Sequence, residues 1–226
     1  MLSPLLLHLA CAANTTTAPQ RLAQAVAVAA EHLTASTYSV LKCPKDQAVG
    51  YRPPQHTQDK IGTTCEPWMA RGALMVLDFF LDPRMRGLEW SAGSSTVWTL
   101  RRLKHLHSVE HNLVWTAQLQ QQLKAALPQL LPKWTLAAVP CKDLQPGACA
   151  LNDGQSEGAG TDYTDYVRTP VTSFRAHFPF DYILVDGRAR TQCLSQVLHD
   201  TPGMLVENGL LVRQPSNARA PLASDT

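Results

Sequence analysis

The run Phe180 to Asp186 (FDYILVD) constrains the fold more than any other segment of this chain. Its centre is apolar on consecutive residues, which is typical of a buried strand in a parallel sheet rather than a half-exposed one. An acidic residue ends the run, and Gly187 follows as a residue that permits a sharp exit. The segment therefore predicts an interior strand of an α/β sheet.

Strand and helix patterns alternate on both sides of this run. The predicted strands are Met85 to Trp90, Leu106 to Glu110, Trp134 to Val139, Phe180 to Asp186 and Leu210 to Arg213. Helices are predicted from Trp68 to Leu81, Gly93 to Leu103, Trp115 to Ala126 and Arg190 to Thr201. The alternation predicts a Rossmann-like, doubly wound, mostly parallel sheet in a three-layer α/β/α fold. Such sheets bind their ligands at the carboxyl ends of the strands.

The chain has 226 residues, enough for one core with an extension. Residues 19–65 are expected to form that extension, as an amphipathic helix from Arg21 to Ala35 and an irregular, Pro-containing connection. Residues 66–226 are expected to form the domain. Cys43 and Cys65 bracket the irregular connection, either as a disulfide or as two reduced cysteines.

The N-terminal residues allow two interpretations of the cellular compartment. Leu2 to Ala13 is an apolar run with a small-residue exit but no preceding Lys or Arg, so residues 1–18 are either a signal peptide or a frayed hydrophobic terminus. A signal would place the protein in the secretory pathway or outside the cell, and its absence would place it in the cytoplasm. The run is too short to span a bilayer, so a membrane protein is not expected unless the run is an uncleaved anchor.

Composition excludes several classes of protein. The net charge of +2 provides no general basic field, so no nucleic-acid partner is evident. The eight histidines form no HExxH pattern, and no metal centre is expected. The chain also lacks GxSxG and GxxxxGK[ST], which argues against an α/β-hydrolase and a phosphate-loop NTPase.

The segment Leu88 to Thr96 (LEWSAGSST) carries the strongest local signal for a ligand site. A strand runs into small residues and then into a helix, so backbone amides can approach a ligand closely. Ser91 and Ser95 stand where a dinucleotide fingerprint has glycines. Glu110 follows Glu89 by 21 positions, near the offset at which an acid on the second strand binds ribose hydroxyls, although a solvated strand end explains it too.

Asp186 lies at the end of the buried strand, where a charge is costly unless it meets a ligand, a metal ion or an arginine. Either it belongs to the site, or it forms a salt bridge with Arg188 or Arg190. Both interpretations remain open from the sequence.

Three motifs in order resemble the class I S-adenosylmethionine-dependent methyltransferases. They are Leu88-Glu89-Trp90 with Gly93 and Ser95-Thr96, then Ser108-Val109-Glu110, and then Asp186-Gly187-Arg188-Ala189-Arg190 with Cys193. The resemblance covers about residues 66–213 and includes a Y-x-x-Y segment at Tyr163 and Tyr166. It implies S-adenosylmethionine as cofactor.

The resemblance also implies roles for particular residues. Glu89 and Gly93, with Ser91 and Ser95 in the same loop, would hold the methionine part of the donor; Glu110 would bind the ribose, and Asp143 would meet the adenine. Ser91 replaces the usual first glycine of the family, which narrows the permitted backbone angles. The family normally adds a helix and two strands after the fifth strand, and because residues 214–226 carry no strand pattern, those C-terminal strands are expected to be missing.

Methyl transfer from a sulfonium needs alignment of acceptor and methyl group and a residue that accepts one proton. Asp186 and His111 are the candidate catalytic residues. Arg188, Arg190 and Tyr166 are the candidates for binding the acceptor. The expected function is O-methylation of a small-molecule or sugar-like acceptor. The rival interpretations are an NAD(P)-dependent oxidoreductase and a non-catalytic Rossmann-like binding domain.

Overall fold

The structure is a computed structural model that describes Pro67, Met69, residues 71–145, Cys149 and residues 160–213. The expected signal peptide, the helix from Arg21 to Ala35, the pair Cys43 and Cys65 and the tail after Arg213 lie outside the described residues.

Seven strands and five α-helices follow one another along the described chain. In order they are α1 Arg71–Phe80, β1 Arg86–Trp90, α2 Ser94–Leu100, β2 His105–Glu110, α3 Leu113–Ala126, β3 Trp134–Ala138, β4 Lys142–Asp143, β5 Thr161–Asp162, α4 Thr164–Ser173, β6 Phe180–Val185, α5 Arg190–Ser195 and β7 Leu205–Arg213. Short 3-10 turns cover Pro128–Lys133 and Arg175–His177, and a π turn, Gln196–Asp200, continues α5.

Five strands form one sheet in the order β3-β2-β1-β6-β7, and all four pairings are parallel. The chain builds outward from β1 to β3, then crosses back to place β6 on the other side of β1. The expected α/β, doubly wound parallel sheet is confirmed. The strand order reverses between β1 and β6, which is the point where such sheets open a ligand crevice.

Two apolar clusters, one on each face of the sheet, produce the three layers. On one face α1, α2 and α3 contribute residues such as Leu77, Leu100 and Leu119. On the other face α4 and α5 contribute residues such as Tyr166 and Cys193. The predicted strand from Phe180 to Asp186 is confirmed over Phe180–Val185, and its residues pack into both clusters because consecutive side chains point to opposite faces.

The sequence patterns miss two elements. Helix α4 (TDYVRTPVTS) was not expected, since Thr is a weak helix former and Pro170 lacks the amide that an interior helical position needs. Its burial of Tyr166 and Val167 against the sheet stabilises it instead. Strands β4 and β5 form a separate two-stranded antiparallel ribbon of two residues each.

The boundaries of other elements also differ. Strand β7 begins at Leu205, five positions before the predicted start at Leu210, with Asn208 at φ 65° inside it. Helix α2 ends at Leu100 rather than Leu103. A disulfide joins Cys141 to Cys149, with Cα atoms 6.1 Å apart, a pairing that the spacing of the cysteines did not suggest.

No helix within the described part of the chain combines the length and the apolar character needed to cross a membrane.

A cluster of aromatic rings surrounds His107 in the middle of β2. The His107 side chain is 1% exposed, and its ring lies 4.5 to 5.3 Å, centroid to centroid, from those of His105, His177, Phe174 and Phe180. Burial, with the neighbouring histidines, lowers the pKa of His107 to about 4 from its ordinary value of 6.5. The imidazole is therefore neutral in the folded protein at neutral pH.

Replacement of this ring by phenylalanine tests its part in acid unfolding. As pH falls from 6.5 toward 4, the unfolded chain takes up a proton that folded His107 cannot, so wild type loses stability. We expect His107→Phe to remove about 2 to 3 kcal/mol of the loss between pH 7 and pH 4.5, since one pKa unit corresponds to about 1.4 kcal/mol. Urea unfolding at both pH values measures this, with the exposed His199→Gln as control. Equal losses in wild type and His107→Phe would contradict the assignment.

Candidate functional site

Three carboxylates meet at the carboxyl ends of adjacent strands, beside the point where the strand order reverses. Glu89 lies on β1, Glu110 ends β2, and Asp186 directly follows β6. The Asp186 amide donates to the Trp90 carbonyl oxygen at 3.2 Å, which holds the exit of β6 against the end of β1. The structure therefore brings together three of the residues predicted for the site.

Glu89 is fully buried and held through one oxygen. Its Oε1 accepts hydrogen bonds from Thr96 Oγ1 at 2.5 Å and from Ser108 Oγ at 2.6 Å. Its Oε2 is buried and has no hydrogen-bond partner among the described residues. Burial raises the pKa of Glu89 to about 8, although the two hydroxyl hydrogen bonds oppose that shift.

Two further donors fix the direction of these hydrogen bonds. The Trp134 indole Nε1 donates to Ser108 Oγ at 2.8 Å, and the Gly93 amide donates to Thr96 Oγ1 at 2.8 Å. Since an indole and a backbone amide can only donate, each hydroxyl accepts from them and directs its own proton to Glu89.

Glu110 holds the backbone of two loops. Its Oε2 accepts from the Ala92 amide at 2.9 Å, and its Oε1 accepts from the Asn112 amide at 2.8 Å. His111 Nδ1 lies 2.9 Å from the same Oε1. Asn112 in turn caps α3 by accepting from the Trp115 amide. Glu110 thus joins the β1–α2 loop to the start of α3.

The loop between β1 and α2 has an unusual backbone. Ser91 has φ 113°, a conformation that side chains with a Cβ rarely adopt. Its amide donates to the Val109 carbonyl oxygen at 2.8 Å, so the loop is tied to the neighbouring strand in this conformation. Ser95, one of the predicted cofactor residues, is buried in the first turn of α2.

Asp186 is partly exposed, with 23% of its side chain accessible, and contacts Arg190. Arg190 Nη2 lies 3.5 Å from Asp186 Oδ1, and the same guanidinium donates to the carbonyl oxygens of Asp186 and Gly187 at 2.9 Å each. The salt bridge expected as an alternative is therefore present. Burial raises the pKa of Asp186 to about 7, against the opposing effect of Arg190.

Aromatic side chains line the site on the side of α4. The rings of Tyr163 and Tyr166 each lie 6.0 Å from the His111 ring in edge-to-face orientations. Tyr166 is fully buried, and a Cβ at Gly187 would lie only 2.0 Å from its hydroxyl. Tyr166 therefore supports the turn at Gly187 from beneath and does not face solvent.

Asp143 lies in the two-stranded β4–β5 ribbon, which is separate from the five-stranded sheet that carries Glu89 and Glu110. It is an exposed residue of the β4–β5 ribbon, and its Oδ1 accepts from the Cys149 amide at 2.6 Å, beside the disulfide. Arg188 is half-buried, and its carbonyl oxygen lies 3.6 Å from the Cys193 thiol, which donates to it. The roles predicted for Asp143 and Arg188 stay predictions.

Sequence reasoning missed the polar residues that support the carboxylates. The sequence patterns do not mark Ser108, Thr96 or Trp134 as site residues, although Ser108 and Thr96 belong to the motifs on which the family resemblance rests. The available signal is the hydroxyl residue in each motif, Thr96 in the motif of Glu89 and Ser108 in the motif of Glu110, because a buried acid needs hydrogen-bond donors. Within the described residues, no three or more His, Cys, Asp or Glu side chains lie together in a group that could hold a metal ion.

Two solved structures found by comparison are methyltransferases. The precorrin-6y C5,15-methyltransferase from Geobacter metallireducens is 13% identical over 76% of this chain and 72% of that one, with a TM-score of 0.38. A putative protein-L-isoaspartate O-methyltransferase from Plasmodium falciparum, in complex with S-adenosyl-L-homocysteine, is 12% identical over 85% and 84%, with a TM-score of 0.43. No family model and no curated protein sequence matches the chain.

Replacement of Ser91 by glycine tests the backbone of the loop. Glycine adopts φ 113° without a clash, so we expect Ser91→Gly to raise the free energy of unfolding by about 1 kcal/mol, net of the greater freedom of glycine in the unfolded chain. Ser94→Gly, at the first position of α2, is the matched control and is expected to lower it. Urea denaturation gives both values. A destabilised Ser91→Gly would show that the loop is not strained.

Proposed function

We propose that this protein is an S-adenosylmethionine-dependent methyltransferase. The observation that carries the proposal is the direction of the loop amides. The Ala92 amide donates to Glu110 and the Gly93 amide donates to Thr96, so neither points outward to a ligand. A dinucleotide needs such amides for its pyrophosphate, and the carboxyl groups of Glu89, Glu110 and Asp186 offer an anion no positive partner. The same three carboxyl groups can balance the charge of a cationic donor.

The residues present fit S-adenosylmethionine. Glu89 Oε2 has no partner among the described residues and suits the ammonium of the methionine part. Glu110 accepts one amide on each oxygen, and His111 Nδ1 lies 2.9 Å from Oε1. Since a carboxylate oxygen can accept two hydrogen bonds, Oε2 retains acceptor capacity for a ribose hydroxyl. This fit supports S-adenosylmethionine over a nicotinamide cofactor. It also favours a cofactor-binding enzyme over a non-catalytic Rossmann-like domain.

When bound, the donor supplies a methyl group on a sulfonium, which a nucleophile displaces in line. Asp186 is the residue of this chain that we assign to accept the proton of the acceptor. Its carboxylate is partly exposed, and its pKa of about 7 allows proton uptake near neutral pH. The Arg190 guanidinium holds Asp186 in place, because it contacts both the carbonyl oxygen and the carboxylate of Asp186. We therefore assign Arg190 first to positioning Asp186 and only second to contact with the acceptor.

We further propose an oxygen nucleophile on a small-molecule or sugar-like acceptor. A carboxylate base suits a hydroxyl that loses its proton as the methyl group arrives. Arg188 remains a candidate for contact with this acceptor, and His111 beside Glu110 remains the second candidate for the catalytic role.

Calorimetric titration with S-adenosyl-L-homocysteine and, separately, with NAD⁺ tests the proposal. We expect binding of the first and none of the second. Binding of NAD⁺ in its place would indicate the oxidoreductase, and binding of neither would indicate a non-catalytic domain.

A substitution at Glu110 tests the ribose contact within that experiment. We expect Glu110→Gln to weaken S-adenosyl-L-homocysteine binding roughly tenfold to a hundredfold, because hydrogen bonds to a charged acceptor are lost. Glu207→Gln, an exposed change on β7, is the control and is expected to bind as wild type does. Undiminished affinity in Glu110→Gln would remove Glu110 from the donor site.

The disulfide between Cys141 and Cys149 supports an oxidising compartment, one of the two left open by the N-terminal run. We propose the secretory pathway on this ground. N-terminal sequencing of the protein recovered from cells and medium tests it, and an intact Met1 on a cell-retained product would favour the cytoplasm.

A further inference from the structure

The hydrogen bonds around Glu89 determine which of its oxygens can carry a proton. Thr96 and Ser108 both direct their hydroxyl protons at Oε1, because the Gly93 amide and the Trp134 indole already donate to the two hydroxyl oxygens. Oε1 therefore accepts two hydrogen bonds. A proton on the neutral carboxyl group belongs on Oε2, which is buried and without a partner among the described residues.

We propose that binding of the cationic donor releases the proton of Glu89 Oε2 to solvent, and that Ser108 and Thr96 are the positioning residues that keep this proton on Oε2. The inference rests on the proposed function. The O–H bond of the neutral carboxyl group breaks, its electrons remain on Oε2 as the carboxylate charge, and the proton passes to water or buffer. The ammonium of the donor then pairs with the carboxylate.

The surroundings of Glu89 favour the neutral form in the absence of a cation. Glu89 is 0% exposed, and burial of a carboxylate without a counter-charge is costly. The titratable groups that act on it are Glu110 on β2, Asp186 after β6 and Tyr182 within β6. The two carboxylates oppose a further negative charge, and Tyr182 supplies no positive one, so the arriving ligand must supply it.

The first test titrates Glu89 in the ligand-free protein, by carbon NMR of the side-chain carboxyl groups, with Glu89→Gln to assign the signal. We expect a midpoint near pH 8 in wild type and one higher by about one unit in Ser108→Ala, which loses a donor to the carboxylate. Trp134→Phe, which frees the Ser108 hydroxyl to rotate, is expected to shift the midpoint upward by less. Thr169→Val removes a buried hydroxyl of α4 that donates to the Asp165 carbonyl oxygen, and it should leave the midpoint unchanged.

The second test counts protons by calorimetry of S-adenosyl-L-homocysteine binding in buffers of different ionisation enthalpy. At pH 7, where the amino group of the ligand is still an ammonium, we expect wild type to release close to one proton per ligand. Glu89→Gln should abolish the release that Asp186→Asn largely retains, which separates the two carboxyl groups.

The outcomes separate the two proposals. If the ligand binds without proton release, or if Glu89→Gln releases as many protons as wild type, the inference is wrong and the methyltransferase proposal stands. If the ligand does not bind while the midpoint of Glu89 responds to Ser108→Ala, the donor assignment fails, proton-coupled binding fails with it, and the hydrogen-bond network remains as a structural feature. An unchanged midpoint in both Ser108→Ala and Trp134→Phe overturns the positioning role.

Discussion

The buried carboxyl group of Glu89 ties the central elements of this fold together. Its Oε1 accepts hydrogen bonds from Thr96 of α2 and Ser108 of β2. Ser108 in turn accepts a hydrogen bond from Trp134 at the start of β3. One side chain on the central strand thus coordinates the neighbouring strands and the first helix of the site. In a parallel sheet these elements are distant in sequence, so a shared buried acceptor fixes how they meet.

A second consequence of the same arrangement is the electrostatic character of the site. Gly93 and Ala92 direct their amides into the protein, where Thr96 and Glu110 accept them. A loop that superficially resembles an anion cradle is therefore satisfied internally. The carboxyl groups of Glu89, Glu110 and Asp186 at the strand ends offer an anion no positive partner, and the proposed cationic donor would supply the positive charge that they lack.

Much of this framework is readable from local patterns. The apolar run ending at Asp186 predicts the interior strand, and the alternation of strands and helices predicts the parallel sheet and the edge at which Glu89 and Glu110 lie. Helix α4 escapes prediction because Pro170 and several threonines oppose a helix locally, while burial against the sheet outweighs that opposition. The Cys141–Cys149 disulfide also escapes, since the spacing of cysteines does not reveal which pair meets.

The sequence by itself determined the fold class, the strand that carries Asp186, and the presence of acidic groups at three strand ends, because hydrophobic periodicity and turn residues act over short distances. Only the tertiary structure decided what those groups do. Thr96 and Ser108 donate to Glu89, and Trp134 donates to Ser108. Arg190 contacts Asp186, and Tyr166 is buried beneath Gly187. The direction of each hydrogen bond, and the burial that shifts each pKa, depend on neighbours that the linear order keeps apart.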